Sequence, residues 1–235
     1  EHFCYWPDEK VLLGSTVDNK SNLHKELKLK IEVKNDIDGE TEFSKIQALS
    51  IPPKKSKQVT YNWVVPKNNR SSYIFHAELM QDNKKIDSIK HAIRILENQN
   101  ADQNEFVTVE EGDFFLNGKP WHPVGVNFWP RYSVALERED FFANWQSKGF
   151  YDPEMIQDDL IKISNLGMNS VSIQALASEP RNFLHFLDVC KQYGIKVDLS
   201  LMYDSMGNVT SPLDFKSELI SDFVKKTRLA ENSAL

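Results

Sequence analysis

The chain has 235 residues, of which 40% are hydrophobic and 26% charged, a composition typical of one large or two ordinary globular domains. No run of about 18 apolar residues occurs, so no membrane-spanning helix is expected. The formal net charge of −6 argues against a nucleic-acid partner, because such a partner usually requires a basic surface that neutralises phosphates.

Cysteine and histidine usage indicates neither a disulfide framework nor a metal site. Cys4 and Cys190 lie in different segments, and the six histidines are scattered without metal-ligand spacing. No metal site is therefore expected, and the family resemblance described below implies no cofactor. Because the chain begins with Glu1 rather than methionine, we expect a processed or excised piece from which any export signal is already removed.

The first half of the chain has a hydrophobic period of two. Leu27, Leu29, Ile31 and Val33 alternate with charged residues, which predicts a strand with one buried face. Further strands are predicted over residues 43–51, 57–65, 73–81 and 85–96, separated by Pro-, Asn- and Asp-rich turns. Five or six short strands at this spacing predict a small immunoglobulin-like β-sandwich.

The role of this sandwich is open at this point. With Trp63 or Tyr61 as a sugar contact it would be a carbohydrate-binding module, and the alternative is a spacer that packs on the next domain. The aromatic-rich residues 1–7 are interpreted as a candidate last strand of an upstream element. Residues 98–105 are polar and lack periodicity, so the predicted domains are a sandwich over 1–97, a linker over 98–105 and a second domain over 106–235.

The second half begins with hairpins and then alternates strands with helices. Residues 106–109 and 114–116 form a predicted hairpin, Asn117-Gly118 a second tight turn, and residues 124–128 a first buried strand. Strands follow over 169–176 and 195–202. Three amphipathic helices follow the strands: one capped by Asp152 and ended by Gly167, one ended by Gly194, and one opened by a capping box over 211–214 with Phe215, Leu219 and Phe223 inward.

Such alternation predicts a parallel sheet with right-handed crossovers, and binding sites in these sheets lie at the carboxyl ends of the strands. Asn, Gln and Tyr side chains can bond sugar hydroxyls, and Trp offers a flat apolar face to a sugar ring. Glu179 also follows the second strand, but an acid is favoured there anyway in a helix first turn. The predicted substrate-binding residues are Asn127, Trp129, Arg131, Tyr132, Gln174, Tyr203 and Asp204.

Two of these local interpretations have alternatives. Asp204 is either a functional acid or a turn residue. The aromatic residues between Trp129 and Tyr151, which include Phe141, Phe142 and Trp145, either line a cleft or form a small core of the loop itself.

Three segments carry a family resemblance. They are the hairpin over 112–120, the triplet Gly125-Val126-Asn127, and Tyr151-Asp152 followed by residues 166–171. In this order they resemble the lead-in of clan A glycoside hydrolases, in particular family five endoglycanases and mannanases or the barrel of family two β-glycosidases.

The resemblance implies a multidomain protein, with the β-sandwich followed by the first three units of a (β/α)8 barrel, and an oligo- or polysaccharide substrate. It also implies hydrolysis by two glutamates that end the fourth and seventh strands, beyond Leu235, so this segment alone is expected to be inactive. The strand-two arginine that supports the nucleophile in the family is Ser172 here. A secreted or periplasmic location is expected, and the oligomeric state is left open.

Two other hypotheses remain from the sequence. The chain is alternatively a non-catalytic carbohydrate-binding or adhesion protein on a degenerate barrel, which Ser172 favours. A small open-sheet α/β protein that pairs with a second copy is the third hypothesis.

Overall fold

The computed structural model describes residues 3–67, 71–96, 105–135, 145–147, 149–176, 180–202 and 217–235. The chain forms two compact units, one of Phe3–Glu97 and the other made chiefly of Asn98–Leu235.

Seven strands form the described part of the first unit. They are β1 (Cys4–Tyr5), β2 (Lys10–Asp18), β3 (Lys25–Asn35), β4 (Thr41–Ile51), β5 (Ser56–Val64), β6 (Ser72–Gln81) and β7 (Lys84–Ile95). One sheet has the order β1-β7-β6-β3-β4, and the other pairs β2 with β5. The neighbours are antiparallel except β1, which runs parallel to β7.

The two sheets share one hydrophobic core, which makes the unit a β-sandwich. The alternation predicted for β3 is confirmed, since Leu27, Leu29, Ile31 and Val33 are all buried. They pack with residues of the second sheet such as Trp63, whose ring meets Tyr73 edge-on at 5.3 Å. Burial of each large aliphatic side chain stabilises the unit by about 1.5–3 kcal/mol.

Trp63 therefore belongs to the core of the sandwich and offers no sugar contact. Tyr61 is partly buried, and its hydroxyl donates to Gln47 Oε1 at 2.7 Å. The interpretation of residues 1–7 as part of an upstream element is wrong for β1, because Cys4 and Tyr5 pair with Arg94 and Ile95 of β7. Main-chain hydrogen bonding to a strand 90 residues away decides this placement, and no local pattern reveals it.

The second unit combines six strands with helices in its described part. The strands are β8 (Val107–Glu110), β9 (Asp113–Leu116), β10 (Lys119–Pro120), β11 (Gly125–Asn127), β12 (Ser170–Leu176) and β13 (Lys196–Met202). The α-helices are α1 (Pro153–Asn165), α2 (Pro180–Gln192) and α3 (Ser217–Thr227), and short 3-10 helices cover Arg131–Ala135 and Leu229–Glu231. None of the described helices has the length and apolar character needed to cross a membrane.

The predicted hairpin is present. Strands β8, β9 and β10 form an antiparallel sheet, and Asn117 and Gly118 both have positive φ, as a tight two-residue turn between twisted strands requires.

The strands β11, β12 and β13 pair in parallel in the order in which they occur in the chain. The parallel sheet predicted from the alternation of strands and helices is thus observed. Gly125 is required at the start of β11, because a Cβ there would collide with the main chain of Ser170 on β12.

The start of α1 and the ends of α1 and α2 lie where the local sequence signals predict. Asp152 Oδ1 accepts the Met155 N–H at 2.9 Å at the start of α1, and Gly167 and Gly194 have positive φ after α1 and α2. Phe223 of α3 is buried against Phe183, with ring centres 5.4 Å apart. The predicted capping box over 211–214 and Phe215 lie outside the described residues.

One face of the parallel sheet is apolar and covered. Val171, Ile173 and Ala175 of β12 are buried, as are most residues of α2. The first strand differs from its prediction as a buried strand, because Val126 is 40% exposed and Val124 is 55% exposed. In the described residues β11 pairs with β12 alone, so this edge strand has a neighbour on one side only.

Candidate functional site

Polar side chains occupy the other face of the parallel sheet. Residues that pair across parallel strands point to the same face, and Asn127, Ser172 and Asp198 form one such row. Gln174 and Ser200 form a row nearer the carboxyl ends of the strands. This face therefore presents amide, hydroxyl and carboxylate groups together, a combination suited to a hydroxylated ligand.

A groove of about 670 Å³ lies between this polar face and the hairpin. Its aromatic wall is formed by Phe114 and Trp121, whose rings meet edge-on at 6.2 Å. The groove includes Lys196 and Asp198 near the amino ends of the strands.

Asn127 and Trp129, the first two predicted residues, lie at or just beyond the end of β11. Asn127 is exposed and ends the strand, and Trp129 is 40% exposed. Both residues are therefore solvent-exposed at the carboxyl edge of the sheet. Tyr203, Asp204, Glu179, Phe141 and Phe142 lie outside the described residues.

Arg131 has acidic partners on α1. Its backbone N–H donates to Asp159 Oδ2 at 3.1 Å, and its Nη1 donates to Asp159 Oδ1 at 2.8 Å. Asp158 lies 3.6 Å from the guanidinium and is more exposed than Asp159. The guanidinium thus ties the segment after β11 to the helix.

Tyr132 is also held within the unit. Its hydroxyl donates to the Trp145 carbonyl at 3.2 Å and accepts the Asp152 N–H at 3.2 Å. Burial raises the pKa of this phenol well above its usual value, and the nearby carboxylates of Asp152 and Asp159 raise it further against the opposing hydrogen bond from Asp152. The hydroxyl is therefore neutral across the physiological range.

Gln174 lies half-buried in the polar row of β12, and its main chain is held by a residue that the sequence patterns do not single out. The side chain of Gln146, which is fully buried, donates from Nε2 to the Gln174 carbonyl at 2.8 Å. Asn182 of α2 in turn donates to the Gln146 carbonyl at 2.6 Å. The sequence offers one indication of this contact. Asn182 lies four residues before Phe186, so a polar side chain occupies the apolar stripe of α2.

Two aromatic residues of the loop before α1 follow the core interpretation given above. Trp145 and Tyr151 are buried and stack at 6.2 Å, and Trp145 also contacts Phe128 and Phe186. These two residues are core. Phe150 is 50% exposed.

A second polar cluster lies at the amino end of β13. Glu105 accepts hydrogen bonds from Lys191 Nζ and Ser233 Oγ, both at 2.8 Å, while Lys196 Nζ donates to the carbonyls of Glu105 and Ser233. The bonds from Lys191 and Ser233 lower the pKa of the Glu105 carboxyl. The last residue of the predicted linker is therefore bound to the second unit.

Retaining glycosidases require two carboxyl groups roughly 5 Å apart across the sugar. In the described part of the strands, the polar face carries one carboxylate, Asp198. No described group of three or more His, Cys, Asp or Glu side chains is arranged to hold a metal ion.

No protein-family model matches the chain, and no curated protein matches it. Similar solved structures include a glycosyl hydrolase family 2 member from Bacteroides cellulosilyticus, at 15% identity and TM-score 0.41 over 98% of this chain and 29% of that one. Another is Bacteroides uniformis β-glucuronidase 2, at 16% identity and TM-score 0.41 over 98% and 26%.

A third is a putative β-galactosidase from Bacteroides fragilis, at 14% identity and TM-score 0.38 over 93% of this chain and 35% of that one. The chain thus spans between 26% and 35% of the length of these three glycosidases.

Proposed function

We propose that this chain is the N-terminal portion of a glycoside hydrolase that acts on β-linked glycans. The observation that carries the proposal is the parallel pairing of β11, β12 and β13 in chain order, with α1 and α2 in the connections. Consecutive parallel strands joined through helices are the opening pattern of a (β/α)8 barrel. Among the segments that resemble clan A glycoside hydrolases, residues 125–127 form β11, and residues 151–152 and 166–171 lie on either side of α1.

A hydrogen bond at the amino end of β13 supports a continuing sheet. The Val197 N–H donates to the Ala234 carbonyl at 2.6 Å, and Ser233 and Ala234 are buried. Ala234 follows α3 in the chain, which is where the proposal expects a fourth strand to begin. The 130 residues from 106 to 235 are fewer than the roughly 250 of a complete barrel.

In this proposal the parent enzyme cleaves its glycan with two glutamates that follow Leu235 and uses no cofactor. Asn127 and Trp129 are the first candidates for positioning the sugar, Gln174 and Tyr203 come next, and Asp204 is a further candidate. Arg131 and Tyr132, already bonded to α1 and its N-cap, border the site. The first unit is an immunoglobulin-like spacer over 1–97, residues 98–105 are a linker, and the protein is secreted or periplasmic.

The decisive experiment compares three proteins on aryl β-glucosides, β-mannosides, β-galactosides and β-glucuronides. They are the 235-residue chain, a longer product that includes the coding sequence after Leu235, and that product with its two candidate glutamates changed to glutamine. We expect turnover by the longer product only. Steady turnover by the 235-residue chain above the glutamine control would overturn the proposal.

Ser172 supports a second candidate, a non-catalytic carbohydrate-binding protein on a degenerate barrel. It occupies the position of the family's strand-two arginine and pairs with Asn127 and Asp198, so a small hydroxyl replaces a cation in that row. The residue that follows a fourth apolar strand discriminates the two candidates. A glutamate there favours the enzyme, and an apolar residue or lysine favours the binding protein.

A further inference from the structure

Trp129 lies between two residues whose positions are fixed by the fold. Phe128 is buried and stacks on Phe186 at 5.6 Å, and its N–H donates to the Ser172 carbonyl at 2.8 Å. Pro130 is buried on the other side, and its carbonyl accepts the Ser133 N–H at 2.8 Å. The main chain on both sides of an exposed indole is therefore held in place.

Arg131, the residue after Pro130, is anchored to the carboxylate of Asp159. Arg131 directs both its backbone N–H and its guanidinium to Asp159, and each carboxylate oxygen receives its own donor. The Asp159 side chain is only 14% exposed, which strengthens these charge-assisted bonds relative to a surface pair. Asp159 belongs to α1, so the anchor point is a helix rather than a loop.

A further anchor reaches the same helix at its N-cap. The Tyr132 hydroxyl accepts the N–H of Asp152, which lies two helical turns before Asp159 and therefore close to the same face of α1. The segment that follows Trp129 is thus tied to α1 at two points, while Trp129 itself remains available.

We propose that Asp159, acting through Arg131, is a positioning residue that holds Trp129 in one orientation at the carboxyl end of β11. The functional meaning of this orientation rests on the proposed sugar-binding role of Trp129. A flat indole fixed in advance loses less conformational freedom when it stacks on a sugar ring. Asp158 offers a matched control, because it is the adjacent carboxylate, 62% exposed and 3.6 Å from the same guanidinium.

The test follows the indole directly by ¹⁹F NMR of the 5-fluorotryptophan-labelled chain, with W129F used to assign the Trp129 resonance among the five tryptophans. We expect one sharp Trp129 line in the parent chain and in D158N. D159N should shift, broaden or split that line, and D159E should recover it in part. R131Q, which keeps the backbone N–H donor to Asp159, is the milder second variant if D159N does not fold.

A purely structural role for Asp159 predicts a different result. The thermal midpoint of D159N would then fall while its folded-state Trp129 line matched that of D158N, and this outcome would overturn the proposal. The same unchanged line in R131Q would also overturn it.

A separate titration of the labelled chain with β-1,4-linked glucohexaose and mannohexaose tests the sugar role. If neither sugar moves the Trp129 line while D159N still does, the sugar-binding role of Trp129 fails and the positioning role is supported. If a sugar moves the Trp129 line but D159N leaves it unchanged, the sugar-binding role is supported and the positioning role fails.

Discussion

The side-chain amide of Gln146 donates to the main-chain carbonyl of Gln174 at 2.8 Å, at the carboxyl half of the central strand of the parallel sheet. Gln146 follows the buried Trp145 and receives the Asn182 amide on its own carbonyl. One buried residue therefore joins the loop before α1 to strand β12 through its side chain and to helix α2 through its main chain.

We expect Q146A to lower the free energy of unfolding of the second unit by about 1–3 kcal/mol, because the substitution removes the hydrogen bond of a fully buried side chain and leaves the Gln174 carbonyl without this donor. Urea unfolding followed by tryptophan fluorescence measures the change. Asn165, exposed at the end of α1, provides the control substitution N165A. Equal midpoints for Q146A and N165A would show that the bond contributes nothing.

The N-cap of α1 gives a second prediction. D152A should destabilise the second unit by about 1 kcal/mol, because the Met155 N–H loses its acceptor. D152S retains a capping oxygen and should stay within a few tenths of a kcal/mol of the parent chain. Thermal unfolding followed by far-UV circular dichroism compares the variants, and a D152S loss as large as that of D152A would contradict a capping role.

Glu105 makes the stability of the second unit dependent on pH. Its pKa in the folded chain is below the ordinary value of 4.5 because Lys191 and Ser233 donate to the carboxylate. A carboxyl group with a lowered folded-state pKa stabilises the fold above its unfolded pKa, and this contribution is lost as the pH falls through the folded pKa.

We therefore expect the stability difference between the parent chain and E105Q to be present at pH 7 and to disappear between about pH 5 and the folded pKa of the carboxyl group. Urea titrations across that range measure the difference, and K191M should shrink it at pH 7. A difference that stays constant with pH would show that the carboxylate charge plays no part.

The sandwich offers a matched pair of isoleucines. Ile31 of β3 is fully buried, whereas Ile46 of the adjacent strand β4 is 63% exposed. I31A should cost about 2–5 kcal/mol through lost transfer energy and a cavity, and I46A should stay within about 0.5 kcal/mol of the parent chain. Guanidinium unfolding of the first unit compares the two variants. Similar losses of unfolding free energy would contradict a core that includes Ile31 and excludes Ile46.

Local sequence patterns were sufficient for most secondary structure. The period of two in β3, the Asp152 cap with Pro153, and the Asn117-Gly118 turn each act within a few residues, so they can be recognised without knowing the fold. The parallel order of β11, β12 and β13 also followed from strand–helix alternation, because a helical crossover returns the chain in the same direction.

The candidate site was only partly accessible from the sequence. The rule that sites lie at the carboxyl ends of parallel strands selected Asn127, Trp129, Arg131 and Tyr132 together. It could not tell the side chains that stay open from those that are bonded to α1, because Asp159 and Asp152 lie 28 and 20 residues further along the chain.

Most strands, turns and helices could be placed from local patterns in the chain, since periodicity and capping depend on neighbouring residues. Three-dimensional packing was needed to show that Gln146 is buried beside β12, that Cys4 and Tyr5 join β7, and that Asp159 holds Arg131. The physical reason is that a polar group takes the nearest partner that packing provides, and packing brings together residues whose separation in the chain carries no periodic signal.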